Sequence, residues 1–364
     1  MAGEVIDNDP LARIRALQSP ETRTRQDLME RIKARFLHMD RDDQIEMVFQ
    51  DLLDDLTLRA DPKLPESEGN RREGGALVLV GESGAGKSLS LKRLVGRHPA
   101  FPGYMVPRSG CAAVYVRIPS FCTPKALGRI TLRQLGLPIK GNPPSHIIWE
   151  MVYERIEKLK KVALHFDEMH NVTRYATDDE IDDIRNMIKT LVVSPTWPII
   201  LLISGLPEIV DLTQPITEIR RRCRPVEFRP LILPDGVSEI ETAIEDLAKT
   251  ANLIWNNPIH DALPARLIHA ALYQIGTSIE VTQDAIRIAL KAGSEGLTRE
   301  HFAEAYTVRS GCLPSENPFV VPNWAEVDCT AVLGRRKVEG AEDDDHDEGS
   351  TRTGRSRKKQ RGRR

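Results

Sequence analysis

Residues 81–88 read GESGAGKS and directly follow an apolar run, ALVLV at 76–80. The spacing GxxxxGK[ST] between a strand and a helical pattern is typical of a phosphate-binding loop. Glycines let backbone N–H groups close around phosphate oxygens, and the following helix presents its positive N-terminal end to them. All eight residues are therefore candidate phosphate ligands: Gly81, Glu82, Ser83, Gly84, Ala85, Gly86, Lys87 and Ser88.

The two polar residues that end this loop have separate predicted roles. Lys87 is expected to reach the β and γ phosphates, and the Ser88 hydroxyl is expected to bind Mg²⁺. The alternative is a glycine-rich turn without a ligand, which the flanking strand and helix patterns disfavour. The loop therefore predicts ATP and Mg²⁺ as cofactors.

The rest of the chain alternates short apolar runs with helical patterns, which favours an α/β fold with a parallel sheet covered on both faces. After Pro230 the strand patterns stop, and the remaining patterns predict a small all-helical domain. The predicted strands are 76–80, 113–118, 162–166, 199–203 and 226–228, and the later helices are 236–255, 262–275, 278–292 and 298–309.

Both ends of the chain are predicted to be extensions. Helical patterns at 21–38 and 42–58 precede a charged linker at 61–75 that is rich in helix breakers. Residues 342–348 hold six acids and residues 352–364 hold eight bases, a segregated charge block that predicts disorder. We expect an N-terminal helical extension (1–60), an ATPase domain (61–230), a helical lid (231–312) and a C-terminal extension with the charged tail (313–364).

Composition narrows the class of protein further. A hydrophobic fraction of 40% and a charged fraction of 29% are ordinary for a globular chain. The net charge of −2 argues against a strongly basic nucleic-acid protein. The five cysteines include no CxxC pair, so neither a disulfide framework nor a zinc site is indicated. Because no apolar stretch approaches about 20 residues and the N-terminus lacks a secretory pattern, we expect a cytoplasmic protein without a membrane partner.

The run VALHF at 162–166 leads directly into Asp167 and Glu168. An apolar strand followed by Asp fits a Walker B site, in which Asp167 holds Mg²⁺. Glu168 is placed to orient and polarise an attacking water, so hydrolysis is favoured over phosphate transfer to another substrate. The alternative is an acidic strand end that makes ordinary loop contacts.

Two later features are candidate parts of the same site. Ser204 follows the run IILLI and is expected either to bind the γ-phosphate or the lytic water, or only to cap the strand. Arg220, Arg221, Arg222 and Arg224 cluster before the last strand. An arginine finger neutralises charge that develops on the transferred phosphate, and supplied in trans it would make oligomerisation a condition of activity. A solvated basic face is the alternative.

With these residues in place, the chain over 30–320 resembles the AAA+ ATPases of transposons in the TniB/TnsC group, which select targets and regulate the transposase. The resemblance implies a three-layer AAA+ sheet domain with a C-terminal helical lid. It goes beyond the generic ATPase motifs in five segments: RFLH at 35–38, FDEMHNV at 166–172, ISGLPEI at 203–209, RRCRPVEFRPL at 221–231 and ENPF at 316–319.

The resemblance also implies residue roles and partners. It places the finger at Arg222, with Arg221 second. Arg222 precedes Cys223, where an aromatic residue is more typical, so the choice between the two arginines stays open. Gly276 is not followed by an arginine before Arg287, so no second sensor is assigned in the lid. The implied assembly is an ATP-bound ring or helical homo-oligomer on double-stranded DNA, which contacts a transposase and a target-selecting adaptor and disassembles when ATP is hydrolysed.

Contacts to DNA have to come from local basic residues, since the body of the chain is net acidic. The segment 119–134 offers Thr123, Lys125, Arg129 and Arg133, and analogy with the family puts DNA contacts near this region. The basic tail is the other candidate for holding phosphates.

Three alternatives to the transposition hypothesis remain at this stage. A helicase is disfavoured because it needs a second ATPase-like sheet domain, and only helical patterns follow residue 230. A replication initiator or helicase loader would share the fold and the ATP site. An ATP-switched scaffold with negligible turnover would share the site but not the chemistry, and Glu168 argues against it.

Overall fold

The computed structural model describes residues 9–67, 69–194, 196–212, 217–256 and 261–331. The charged tail that we expect to be disordered lies outside these residues. The helices are α1 Pro10–Ala16, α2 Pro20–Ala34, α3 Asp40–Thr57, α4 Lys87–Arg97, α5 Pro124–Gln134, α6 Ser145–Lys158, α7 His170–Thr173, α8 Asp178–Val192, α9 Thr217–Arg220, α10 Val237–Thr250, α11 Leu263–Ala270, α12 Ile275–Ala292 and α13 Arg299–Ser310. The strands are β1 Ala76–Gly81, β2 Ala113–Arg117, β3 Ala163–Asp167, β4 Ile200–Gly205, β5 Cys223–Phe228, β6 Ile254–Trp255 and β7 Gly296–Leu297.

The first five strands form one parallel sheet in the order β2-β3-β4-β1-β5. In its register Leu77 lies opposite Leu202 on one side and Arg224 on the other. Because all five strands run in the same direction, the residues that follow β1, β3 and β4 meet at one edge of the sheet. The α/β prediction is confirmed, and this edge is where the phosphate loop, the acidic pair and Ser204 lie.

Helices cover both faces of this sheet, which makes three layers. In β1, Val78 packs into one apolar cluster with residues of α5, α6 and α8, whereas Leu77 and Leu79 pack into another with α3 and α4. All three side chains are at most 1% exposed. Burial on both faces explains why β1 is a continuous apolar run without polar alternation.

The strand β5 begins three residues earlier than the apolar pattern indicated. Cys223 pairs with Ala76 and Pro225 pairs with Val78, so polar and imino residues extend the ladder. Since β5 lies at the edge of the sheet, the missing N–H of Pro225 removes no necessary hydrogen bond.

The four helices α10 to α13 form the lid, and two of its predicted helices differ in the structure. We expected helix over 236–255, but α10 ends at Thr250 because Asn252 takes a left-handed backbone conformation (φ 56°), and β6 follows. Leu272 and Tyr273 are also left-handed, which ends the helical run after α11 and lets α12 begin at Ile275. Tertiary pairing of β6 with β7 decides this local structure.

Residues on both sides of the lid pack into its core. Ile32 of α2 and Phe319 near the C-terminal end belong to the same apolar cluster as α10, α11 and α12. Arg35, where α2 ends four residues earlier than predicted, makes two hydrogen bonds of 2.6 Å to Asp246 of α10. The helix α2 thus packs on the lid, whereas α3 packs on the sheet. The expected domain boundaries at 60, 230 and 312 stay predictions.

No helix in the described parts of the chain has both the length and the apolar character needed to cross a bilayer.

Candidate nucleotide-binding site

The phosphate loop connects β1 to α4 as the sequence predicted. Gly84 (φ 80°) and Gly86 (φ 95°) lie in the left-handed region, where a side chain would be strained. The loop therefore turns sharply at these two glycines, where no Cβ covers the backbone amides. The helix α4 then begins at Lys87. Lys87 Nζ donates hydrogen bonds to the carbonyl oxygens of Gly81 (2.7 Å) and Glu82 (2.8 Å), so its ammonium lies beside the loop.

Asp167 is the centre of the polar network at the end of β3, and it is only 2% exposed. The hydroxyl groups of Ser88 and Ser204 donate to its Oδ1 at 2.6 Å and 2.5 Å. Tyr115 donates to Oδ2 at 2.8 Å, and Lys92 Nζ lies 3.3 Å from the same oxygen. The structure thus brings together Ser88, Asp167 and Ser204, which are far apart in the sequence.

The charge of this carboxylate follows from its contacts. Burial opposes ionisation of Asp167, but the hydrogen bonds from Ser204, Ser88 and Tyr115 outweigh it and hold the pKa of the carboxyl well below its usual range. Carboxylate and hydroxyl oxygens are ligands that Mg²⁺ prefers. The pair of Ser88 and Asp167 therefore fits a magnesium ion beside the loop.

Glu168 lies one residue further on, at the mouth of the site. Its backbone is left-handed (φ 66°), which is uncommon for a residue with a Cβ and separates the direction of its side chain from that of Asp167. The side chain is 40% exposed, and Oε2 lies 3.5 Å from His170 Nε2. A strained, accessible carboxylate next to the proposed metal ligand is suited to contact a water from the solvent side.

A cavity of about 520 Å³ opens over the loop, which is within the usual range for a bound small molecule. Its polar end holds Lys87 and Glu168. Its apolar wall comes from Phe36 and Leu37 of the N-terminal segment and from Ile279 of α12. Burial lowers the pKa of Lys87. The negative charge of Glu168 opposes that shift more than any other carboxylate does.

Arg41 is a site residue that sequence analysis missed. Its guanidinium carbon lies 4.4 Å from the centroid of the Phe228 ring, and a Cβ added at Gly86 would lie 3.3 Å from its Nη2. Among the described residues its buried Nε has no hydrogen-bond partner. Burial lowers the pKa of Arg41, while Asp42 opposes the shift. The only signal in the sequence was a cation in the first turn of a helix, where carboxylates are more favourable.

The lid also reaches the phosphate loop at Gly276, the glycine that no arginine follows before Arg287. A Cβ added at Gly276 would lie 2.3 Å from the carbonyl oxygen of Gly84, so only glycine permits this approach. Gly276 could be identified in the sequence, but its close approach to the loop could not.

His165 lies beneath the site and is fully buried in β3. Its Nδ1 is 2.6 Å from the hydroxyl oxygen of Tyr104. Burial lowers its pKa to about 4, and Asp167 opposes this shift. The imidazole is therefore neutral near pH 7. Its role is to pack within the strand that carries Asp167.

The arginine cluster lies at the opposite edge of the sheet. Ala76, the first residue of β1, lies beside this cluster, because its amide donates a hydrogen bond to the carbonyl oxygen of Arg222 at 2.9 Å. Arg222 forms an ion pair with Glu73, and Arg224 binds Asp51 and Asp55 of α3 at 3.0 Å and 2.6 Å. A strand of this length spans roughly 17 Å, so these guanidinium groups are far from the phosphate loop of their own chain.

Arg221, the second finger candidate, is exposed at the same edge. Arg220 is also exposed and ends α9. Arg220 and Arg221 therefore present cations to solvent, whereas Arg222 and Arg224 are paired with carboxylates.

The candidate DNA contacts lie on α5, and two of them have structural contacts. Thr123 caps the helix, since its hydroxyl accepts the amide of Ala126 at 3.2 Å. Arg129 donates to the carbonyl oxygens of Gly141 (2.9 Å) and Ile139 (3.4 Å). Lys125 is partly exposed and Arg133 is exposed near the end of the helix.

Residues 70–212 match a family model described as an AAA domain. This segment contains the phosphate loop, the acidic pair and Ser204. No curated protein matches the sequence.

Solved structures that are similar to this chain include two proteins with a TM-score of 0.50. The Aeropyrum pernix ORC1 protein, solved in complex with DNA, is 17% identical over 76% of this chain and 67% of its own. Cdc6p from Pyrobaculum aerophilum is 14% identical over 83% of both chains. The Thermotoga maritima RuvB Holliday junction branch migration motor, at 12% identity over 73% of this chain and 69% of its own, has a TM-score of 0.39. The first two likenesses indicate a shared fold.

Proposed function

We propose that this chain, whose residues 70–212 form an AAA domain, binds ATP with Mg²⁺ and hydrolyses it to ADP and phosphate. The observation that supports this most is the meeting of Lys87, Ser88, Asp167 and Glu168 at one edge of the sheet, under a cavity of about 520 Å³.

Each residue has a distinct task in this proposal. The amides of the phosphate loop and Lys87 bind the phosphates, and Ser88 with Asp167 holds the metal, which would neutralise charge on the β and γ phosphates. Glu168 accepts a proton from the attacking water. Ser204 keeps Asp167 oriented through its 2.5 Å hydrogen bond.

The position of the arginine cluster supports a site shared between copies. Arg221 and Arg222 lie at the edge of the sheet opposite to their own phosphate loop. We therefore propose that one of them, Arg222 first, reaches the nucleotide of a neighbouring copy, so that activity needs a homo-oligomer.

The ATPase proposal is tested with two variants that separate binding from chemistry. Lys87→Ala should lose ATP binding, measured with a fluorescent ATP analogue, and with it nucleotide-dependent multimers. Glu168→Gln should bind ATP but hydrolyse it about 10² to 10⁴ times more slowly. Normal phosphate release by Glu168→Gln would show that another residue is the base, and no release by the unaltered protein with or without DNA would support the ATP-switched scaffold.

We further propose that the multimer forms on double-stranded DNA as a ring or filament and regulates transposition, between a target-selecting adaptor and the transposase. The sequence resemblance to the TniB/TnsC group is the support for this role. Electron microscopy with duplex DNA and a slowly hydrolysed ATP analogue tests it. Ordered rings or filaments on DNA are expected, and particles that do not bind DNA would contradict the proposed role.

An initiator or helicase loader is the second candidate, because the ORC1 and Cdc6p structures share the fold. The two roles differ in how the protein covers DNA. A regulator that coats DNA should bind duplexes of unrelated sequence with similar affinity, whereas an initiator should prefer particular sites.

A further inference from the structure

Two aromatic rings stack on the surface, on the segments that follow β2 and β3. The ring centroids of Phe121 and Tyr175 are 5.1 Å apart, with 21° between the ring planes. Phe121 is 78% exposed and Tyr175 is 63% exposed, which makes them the most exposed aromatic side chains of the described residues. In contrast, Phe49, Phe101 and the other buried phenylalanines fill the core.

The backbone holds this exposed ring at a cost. Phe121 has a left-handed backbone conformation (φ 57°), which disfavours a bulky side chain by about 1 kcal/mol or more. Neither burial nor a helix cap compensates, since the ring is in solvent. Strain that exposes an apolar ring is typical of a binding surface.

The charges around the pair indicate what kind of ligand fits. The guanidinium carbon of Arg174 lies 5.7 Å from the Tyr175 centroid. Arg117, the last residue of β2 and four positions before Phe121, is exposed, and Asp178, Asp179 and Glu180 form the first turn of α8. Carboxylates outnumber these arginines, so affinity has to come mainly from the ring faces. Flat π faces beside a guanidinium match a nucleobase and its phosphate, because bases stack on aromatic side chains in single strands and apolar side chains wedge into duplex steps.

The pair is also connected to the proposed catalytic base. Asn171 donates from Nδ2 to the carbonyl oxygen of Ile118 (3.0 Å), and its own carbonyl oxygen accepts the amide of Cys122 (3.3 Å). The amide of Asn171 in turn donates to the carbonyl oxygen of Glu168 (3.0 Å). Hydrogen bonds thus join the segment that carries Phe121 to the turn that positions Glu168.

We propose that Phe121 and Tyr175 stack on a nucleobase of bound DNA, that Arg174 binds an adjacent phosphate, and that this contact changes the position of Glu168 through Asn171. The inference rests on the proposed association with DNA, and it adds the contact residues and their coupling to hydrolysis. Neither ring was among the DNA contacts expected from the sequence.

Fluorescence anisotropy with two labelled probes, oligothymidylate and a random-sequence duplex, tests the contact in the presence of a slowly hydrolysed ATP analogue. Phe121→Ala and Tyr175→Ala should each weaken binding at least about fivefold, and Tyr175→Phe should bind normally. Their dependence on salt should be unchanged, because a ring releases no counterions, whereas Arg174→Gln should lower the salt slope by about one.

Met47→Ala is the matched control, since Met47 is 66% exposed on α3 and its loss removes an apolar side chain elsewhere. A larger loss on oligothymidylate would identify stacking on unpaired bases, and a larger loss on the duplex would identify a wedge. The ratio of the hydrolysis rate with DNA to the rate without it should fall toward one in Phe121→Ala and in Asn171→Ala. Of these two, Asn171→Ala should keep its affinity for DNA.

Several results would overturn the inference. Phe121→Ala and Tyr175→Ala that bind both probes as tightly as Met47→Ala would show that the rings do not contact DNA. Variants that keep their DNA affinity but no longer form multimers would show that the pair joins two copies of the chain. If the unaltered protein binds neither probe, the proposed association with DNA itself fails, which is a separate outcome from failure of this contact.

Discussion

The backbone amide of Thr277 donates a hydrogen bond to the carbonyl oxygen of Gly84 across 3.2 Å. This bond fixes the first turn of α12 against the phosphate loop. The close approach depends on Gly276, which precedes Thr277 and has no Cβ. The lid therefore contacts the loop directly, and we expect a nucleotide bound by the loop to affect the lid as well.

Replacing Gly276 with alanine should separate the lid from the loop. The added Cβ would lie 2.3 Å from the carbonyl oxygen of Gly84, so α12 has to move. We expect ATP affinity to fall several-fold, although alanine favours helix by about 1 kcal/mol. Isothermal titration with ATP analogues measures this effect. The matched control is Gly96→Ala in α4, where the new Cβ meets only Tyr104 at 3.7 Å, and this variant should bind normally. Equal affinities for both variants would mean that the lid contact does not affect binding.

Removing the guanidinium of Arg41 should weaken nucleotide binding. This cation lies beside Gly86 of the loop, and a charged hydrogen bond contributes about 1.5–3 kcal/mol. We expect Arg41→Ala to lower the affinity for ATP by about tenfold or more, and Arg41→Lys to be intermediate because lysine lacks the planar fork. Arg31→Ala, at an exposed position of α2, is the control in the same titration. The role fails if Arg41→Ala and Arg31→Ala bind alike.

The buried imidazole of His165 should make folding sensitive to acid. Its pKa is about 4 in the folded chain, below its usual value near 6.5, because burial disfavours the charged form. The unfolded chain binds a proton first as the pH falls, so this contribution to stability is complete above about pH 6.5 and is lost toward pH 4. The shift corresponds to a difference on the order of 3 kcal/mol.

Urea unfolding at a series of pH values measures this difference. His165→Gln should show a smaller loss of unfolding free energy between about pH 6.5 and 4 than the unaltered chain. His146→Gln, at an exposed position of α6, serves as the control and should keep the full loss. Identical pH profiles for the two variants would contradict the buried neutral state of His165.

The trans position of the finger is tested by mixing two inactive variants. Arg222→Ala keeps its own phosphate loop and base, whereas Glu168→Gln keeps its arginine and its ATP binding. In mixed oligomers some interfaces combine the intact loop and base of one copy with the intact arginine of the other, so hydrolysis should partly return. The same mixture with Arg221→Ala compares the two candidates. If no mixing ratio restores phosphate release, the cluster does not act between copies.

Much of the architecture followed from local patterns. Continuous apolar runs ended by polar residues predicted β1, β3 and β4, because strands buried on both faces leave no room for polar alternation. The loop pattern at 81–88 and the acidic pair at 167–168 predicted where a phosphate and a metal would lie. Each of these signals is confined to a few neighbouring residues.

The contacts of Arg41 and Gly276 with the loop, and the stacking of Phe121 on Tyr175, could not be predicted in this way. The two sides of each contact are tens of residues apart in the sequence, and no local pattern marks them. Thr123 caps a helix and Arg129 closes a loop, which the sequence did not reveal, and their contact with DNA stays a prediction.

The sequence alone determined the sheet, the phosphate loop and the acidic pair, because hydrophobic periodicity and backbone freedom are properties of adjacent residues. Only the tertiary structure decided that a lid glycine touches the loop, that an N-terminal arginine lies beside it, and that the arginine cluster lies at the far edge of the sheet. Those relationships depend on how parallel strands align and on which surfaces pack together, and packing joins residues that are distant in the chain.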